Sequence, residues 1–165
     1  MAVIGQTRCV HVCFVCSGNI CRSPIAALVL TEHLRRAGLA DRVRVSSAGI
    51  GPWHVGEPAD PRAQRVLAEH GYPTNHVAAQ VNEDHLSADL LLAMDAGHEA
   101  ALRDLLKHQG DTDERLVMFR SFDPRATEPD VPDPYYGDFA GFVEVLGLVE
   151  AAMPGLVEWI RANLD

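Results

Sequence analysis

The stretch Val10-His-Val-Cys-Phe-Val-Cys16-Ser-Gly-Asn-Ile-Cys21-Arg22-Ser23-Pro24 decides the fold class. Residues 10–15 are an apolar, largely β-branched run ending at Cys16, the pattern of a buried parallel strand. Residues 17–21 make a short polar loop. Ser23 and Pro24 then open a helix, Ser23 suiting the N-cap and Pro24 the first helical position. Ile25, Leu28, Val29 and Leu34 share one stripe of that helix, and Gly38 suits its stop.

The same alternation runs on down the chain. Residues 43–47 read as a second strand, 61–70 as a helix ending at Gly71, and 89–94 as a third strand. A helix follows near 97–108, a fourth strand at 116–119, and a loop rich in Pro and Asp over 123–137. Residues 139–164 carry a helical pattern that Pro154 should kink or break. Strands alternating with helices predict one three-layer α/β/α domain over residues 1–165 with a parallel sheet, residues 1–8 being loosely ordered. Open sheets of this kind bind ligands at the carboxyl ends of their strands, which places Cys16 and its loop at the site.

Composition narrows the function. With 47% hydrophobic and 22% charged residues, the 165-residue chain has the make-up of a globular domain that needs no disulfide or metal staple. No run of about 18 apolar residues stands out, so no membrane association is expected. The start lacks a basic region and an Ala-x-Ala-type cleavage site. The expectation is therefore action in the cytoplasm, with export by a route that needs no signal as the alternative. The net charge of −9 argues against a nucleic-acid partner. Residues 1–80 hold 8 bases and 5 acids, whereas 81–165 hold 6 bases and 18 acids, so an anion site belongs in the first half.

Cys9, Cys13, Cys16 and Cys21 admit three readings. A disulfide framework fits badly with four cysteines crowded into so short a stretch. Zinc would use the Cys13-x-x-Cys16 spacing, but a second ligand pair is missing. The reading adopted makes Cys16 a nucleophile and Cys9 and Cys13 small hydrophobes in or beside the strand, with no metal and no cofactor.

Cys16 and Arg22 bracket a loop that begins at a strand end and finishes at a helix start. Gly18 and Asn19 tolerate left-handed backbone, so the loop can curl its N–H groups inward around an anion. Those N–H groups and the helix N-terminus favour a thiolate at Cys16, to which the Ser23 hydroxyl can donate. Arg22 offers a planar fork for two phosphate oxygens, before and during the transition state. Cys16 would attack phosphorus and form a cysteinyl-phosphate. No Gly-Lys-Ser/Thr nucleotide loop occurs. The leaving oxygen needs a proton, and Asp133, held between Pro132 and Pro134, is the first candidate donor. Burial near aromatic rings and a bound anion would both help keep it protonated. Asp130 is its local competitor and Asp123 a weaker one. Trp53, Tyr135 and Tyr136 are candidate walls for a flat aryl group, the alternative being ordinary partial burial.

Together with Ser46-Ser-Ala-Gly49, Trp53-His-Val-Gly56, Gly71-Tyr-Pro73 with His76, and Asp133-Pro-Tyr-Tyr136, the loop makes the chain resemble the low-molecular-weight protein tyrosine phosphatases, the actinobacterial members most of all. The resemblance spans residue 10 to the final helix. It implies a four-stranded parallel sheet and a two-step, metal-free hydrolysis of phosphotyrosine in proteins. Cys16 is then the nucleophile, Arg22 the clamp, and Asp133 the acid and later the base. The backbone of Ser17, Gly18, Asn19, Ile20, Cys21 and Arg22 cradles the phosphate. Asn19, Ser23, Ser47 and His76 match the loop's supports, and Trp53, His54, Tyr135 and Tyr136 match the substrate rim. Ser17 departs from the Leu or Thr of many members, and its side chain should point away from the phosphate. Cys21 is a candidate redox partner of Cys16, shielding it by a reversible disulfide. Tyr135 and Tyr136 are candidate targets of a tyrosine kinase. A monomer is expected, and His33, His85, His98 and His108 are left on helix surfaces or caps without a role. The competing readings are an arsenate reductase, which needs cysteines after Cys21 that this chain lacks; a phosphoarginine phosphatase, which would have a small polar rim; and a phosphotyrosine-binding module without catalysis.

Overall fold

Period-two burial makes the first strand. Val10, Val12 and Phe14 face one core, while Cys13 and Val15 face the other. This strand, β1 (Val10–Cys16), is buried on both sides and lies inside a sheet with β2 (Val43–Gly49), β3 (Leu90–Ala93) and β4 (Leu116–Met118). In the computed structural model, which describes residues 8–164, all pairings are parallel and the order is β2-β1-β3-β4. The expectation for residues 1–8 falls, but for Arg8, outside the described residues. Helices α1 (Arg22–Arg36), α2 (Pro61–Glu69) and α5 (Phe139–Leu164) cover one face. The short α3 (Glu83–Leu86) and α4 (Ala96–His108) cover the other. Cys16 pairs with Gly49 and Val15 with Ala93, so three strands end together at the point where the chain turns to opposite sides of β1.

Several local expectations change. The first helix starts at Arg22, and no side chain caps it. Ser23 is inside the helix with its hydroxyl turned to the loop, and Pro24 still lies in the first turn, where its missing N–H costs no bond. The fourth strand stops at Met118, and Phe119 begins a 3-10 turn, Phe119–Phe122. That turn sets the Phe119 ring edge-on to Phe14, centroids 5.4 Å apart. Cys9 is exposed, not part of the core, whereas Cys13 is buried and its thiol is pushed up to about 12 by burial. The extra turn α3 is made by a capping box: Asn82 Oδ1 accepts from the His85 N–H, and His85 Nδ1 accepts from the Asn82 N–H.

Pro154 does not break the last helix; α5 runs unbroken for 26 residues. Val149, Ala152, Met153 and Leu156 are buried on both sides of the proline. Burying four such side chains outweighs the roughly 3 kcal/mol that an interior proline costs. An 18-residue window of α5 has mean hydropathy 1.6, long and apolar enough to cross a membrane where no such segment was expected. In the fold, its apolar stripe packs against α1 and α2 and the 3-10 turn.

Candidate active site

The loop after β1 is held from beneath by one side chain. Asn19 is fully buried and has φ of 60°, the one non-glycine residue in the left-handed region among those described. Its Oδ1 accepts from the Ala79 N–H at 3.0 Å, which fixes the amide's orientation. Its Nδ2 therefore donates to Ser23 Oγ at 2.8 Å and to Ser47 Oγ at 3.0 Å. Because Ser23 Oγ already receives that N–H, its own hydrogen is free for Cys16 Sγ, 2.9 Å away, as a thiolate there requires. His76 Nε2 donates to the Asn19 carbonyl at 2.7 Å, and burial pushes the His76 pKa down, so a neutral ring carries that bond. Gly49 lies directly under the turn. A Cβ there would stand 2.9 Å from the Ser17 carbonyl oxygen and 3.0 Å from the Gly18 carbonyl carbon.

Arg22 is the buried cation of the site, its side chain 4% exposed. Its Nη1 donates to Asp95 Oδ2 at 2.9 Å and to the Val131 carbonyl at 3.0 Å. Asp95 also caps α4 through Oδ1, which accepts from the His98 N–H at 2.9 Å. Burial alone would raise the Asp95 pKa, but that N–H and the charges beside it hold the carboxyl below its ordinary value. The His98 ring lies 3.2 Å from Asp95 through Nδ1, at an angle that makes no hydrogen bond, and Nε2 meets Ser17 Oγ at 2.9 Å. This Asp–His–Ser order looks like a base relay, but burial first and Arg22 second push the His98 pKa down to about 4. An imidazole so hard to protonate is a poor base, so the chain acts as a brace from Arg22 to the first loop residue. Ser17 accordingly turns its hydroxyl to His98.

Asp133 and Asp130 separate cleanly. Asp133 Oδ2 stands 3.7 Å from Arg22 Nη2, and its Oδ1 accepts from the Tyr135 N–H at 3.1 Å. Asp130 Oδ1 is turned away to the Ala96 N–H, and Asp123 bonds the Arg125 N–H. The burial expected around Asp133 is not there. Its side chain is 41% exposed, and the neighbouring Tyr135 and Tyr136 are exposed as well. A cleft of about 450 Å³ has the phosphate loop as its floor and Trp53, His54, Asp133, Tyr135 and Tyr136 as its rim. Trp53 lies over Gly51 and His54 over Gly18, places where a Cβ would collide with either ring. His54 is paired with Glu57, and the Tyr135 and Tyr136 rings meet edge-on at 4.9 Å. Cys21 is a free, buried thiol on the cleft wall, and burial pushes its pKa well above the ordinary value. Among the described residues, no three His, Cys, Asp or Glu side chains converge on a metal position.

The reading of the sequence missed Asp95, His98 and the Val131 carbonyl. The available signal was positional: Asp95 follows an apolar strand at the sheet's ligand-binding edge, three residues before a histidine, as an N-cap does.

Comparison with known proteins fits this geometry. The sequence profile described as "Low molecular weight phosphotyrosine protein phosphatase" matches residues 11–165. The chain belongs to that family. It is 54% identical over 156 residues to the low molecular weight protein-tyrosine phosphatase A of Mycobacterium tuberculosis, covering 93% of each. It is 48% identical to the low molecular weight protein-tyrosine-phosphatase of Streptomyces coelicolor, over 94% of this chain and 96% of that one. The crystal structure of YfkJ from Bacillus subtilis superposes with a TM-score of 0.89 at 32% identity, covering 98% of this chain and 100% of the other. This phosphatase is thus a hydrolase of phosphoric monoesters.

The brace has a pH signature. An unfolded histidine takes up a proton near pH 6.5, while folded His98 resists until about 4. Stability is therefore lost as pH falls from 6.5 towards 4. His11, His33, His76 and His85, all held down by burial, add to it with the same sign. His98→Gln should show a shallower loss than wild type when denaturant midpoints are compared at pH 7, 5.5 and 4. Equal slopes would show that His98 is not held neutral by the fold.

Proposed function

We propose that this phosphatase hydrolyses phosphotyrosine in proteins through a phosphoryl group carried on Cys16. The observation that carries the reading is the Ser23 hydroxyl, aimed at Cys16 Sγ at the centre of the curled loop, with buried Arg22 closing its far end. The thiolate attacks phosphorus as the bond to the tyrosine oxygen breaks, and Asp133 gives that oxygen its proton. Asp133 then takes a proton from water, which attacks phosphorus. The sulfur–phosphorus bond breaks, and phosphate and thiolate are regenerated. A phosphate clamped by Arg22 lies within reach of Asp133, given the 3.7 Å between their side chains.

The rim supports an aryl substrate. Trp53 is 68% exposed, and with Tyr135 and Tyr136 it offers faces for a phenyl ring. A phosphoarginine site would be better served by small polar groups in those places. Tyr136, 89% exposed, and Tyr135 are reachable by a tyrosine kinase, which is the partner we assign beside the phosphotyrosine proteins. Action as a monomer in the cytoplasm completes the reading.

Cys21 is assigned a protective role. Peroxide oxidises the Cys16 thiolate to a sulfenic acid; the Cys21 thiol then displaces water and forms the disulfide. After limited peroxide, wild type should recover with dithiol while Cys21→Ser does not; equal recovery removes the role.

The main test is turnover of para-nitrophenyl phosphate and a phosphotyrosine peptide, with chelator present. Cys16→Ser should abolish turnover, and Asp133→Ala should lower it about 10²–10⁴-fold. Binding of the peptide by wild type without turnover would instead make the chain a phosphotyrosine-binding module.

A further inference from the structure

Asp133 hangs between two anchors, and only one belongs to the machinery described above. Upstream, the Val131 N–H donates to the Met94 carbonyl at 2.7 Å, and its carbonyl takes Arg22. Downstream, the anchor is Arg62, the second residue of α2, which does not line the cleft. Arg62 Nη2 donates to the Tyr135 carbonyl and Nη1 to the Gly137 carbonyl, both at 3.0 Å. Its other contacts fix where that fork points. Nε and Nη2 bond the two carboxylate oxygens of Asp60 at 3.0 and 2.9 Å, and the guanidinium carbon sits 4.5 Å from the centre of the Phe142 ring. Asp60 is buried, caps α2, and donates its own N–H to the Ile20 carbonyl at 2.9 Å. One continuous chain of bonds therefore runs from the phosphate loop at Ile20, through Asp60 and Arg62, to the backbone just after Asp133.

We propose that Arg62 is the positioning residue of the proton donor, setting the height of Asp133 above the phosphate loop through the carbonyls of Tyr135 and Gly137. The proposal rests on Asp133 being the acid. Arg62 does not itself line the cleft, but its guanidinium carbon also lies 5.8 Å from the centre of the Tyr135 ring; a loss carried by that ring would fall equally on every aryl ester, whereas a loss carried by Asp133 would not. Pro132 and Pro134 stiffen the segment, which carries the constraint at Tyr135 back to the carboxyl. A displacement of about 1 Å in a catalytic group can cost about 10²-fold. In kcat/KM, which covers the steps up to loss of the leaving group and not the later attack of water, such a displacement shows only where the leaving oxygen needs a proton.

The test is kcat/KM across aryl phosphates of falling leaving-group basicity, from phenyl to 2,4-dinitrophenyl phosphate. It uses wild type, Asp133→Ala, Arg62→Ala and Arg62→Gln. Wild type should be nearly independent of the leaving group and Asp133→Ala steeply dependent. Arg62→Ala should lose about 10- to 100-fold on phenyl phosphate and under about threefold on the dinitrophenyl ester. Competitive inhibition by inorganic phosphate should stay within about twofold of wild type, since the cradle is untouched; it also reports that the variant is folded. Arg62→Gln, able to reach only one carbonyl, should fall between wild type and Arg62→Ala, and it substitutes if Arg62→Ala does not fold. In the Asp133→Ala background, removing Arg62 should cost no more than about a further twofold. An equal loss on every ester, no loss, or full additivity with Asp133→Ala would overturn the proposal. A flat Asp133→Ala series would instead overturn the assignment of the acid itself.

Discussion

The site depends on Asn19 being held, buried, in a left-handed conformation. That backbone costs most side chains about 1–2 kcal/mol, and asparagine is among the few that visit it routinely. Here four side-chain and backbone partners surround it: Ser23, Ser47, Ala79 and His76. At about 1 kcal/mol net for each bond, the network outweighs the strain. The consequence is chemical as well as structural. Fixing the amide of Asn19 fixes which way the Ser23 hydroxyl points, and that hydroxyl meets Cys16 Sγ. On the proposed function, the loop holds its curled form without waiting for the phosphate, the condition for electrostatic preorganisation.

The sheet supplies what the loop cannot. Three adjacent strands end level with one another, so β1 delivers Cys16, β2 delivers Ser47 and the bare backbone of Gly49, and the turn after β3 delivers Asp95. The net charge of −9 does not reach this point as repulsion. Arg22 is buried against Asp95, and on the proposed function the backbone N–H groups of the loop complete the cradle, their field acting at contact range. The segment that carries Asp133 is not part of the sheet at all. It stays in place because Arg22 grips the Val131 carbonyl on one side and Arg62 grips the Tyr135 and Gly137 carbonyls on the other.

What could be read from the sequence was local. A β-branched run, a polar loop and a helix start within fifteen residues gave the strand–loop–helix unit, and with it Cys16, Arg22 and the left-handed Asn19. Errors came where two local rules competed or where a distant partner decided. A serine before a proline reads as a cap, yet the curl of the loop starts the helix earlier and frees Ser23 for the sulfur. Pro154 reads as a break, yet burial on both sides of it keeps α5 whole. Asp133 was expected to be buried by its tyrosines, which instead form an open rim. The contacts of Arg22 with Asp95 and of Arg62 with Tyr135 each span 73 positions, beyond any periodicity or spacing.

The central claim is that Cys16 carries the phosphoryl group, and it can be tested directly by quenching the enzyme with denaturant at mildly alkaline pH during turnover of a phosphotyrosine peptide and mapping the modified residue by mass spectrometry. The account predicts one phosphoryl group, on Cys16, that disappears as inorganic phosphate is released. Turnover with no modified residue, or with phosphate on Ser17 or a histidine, would contradict it.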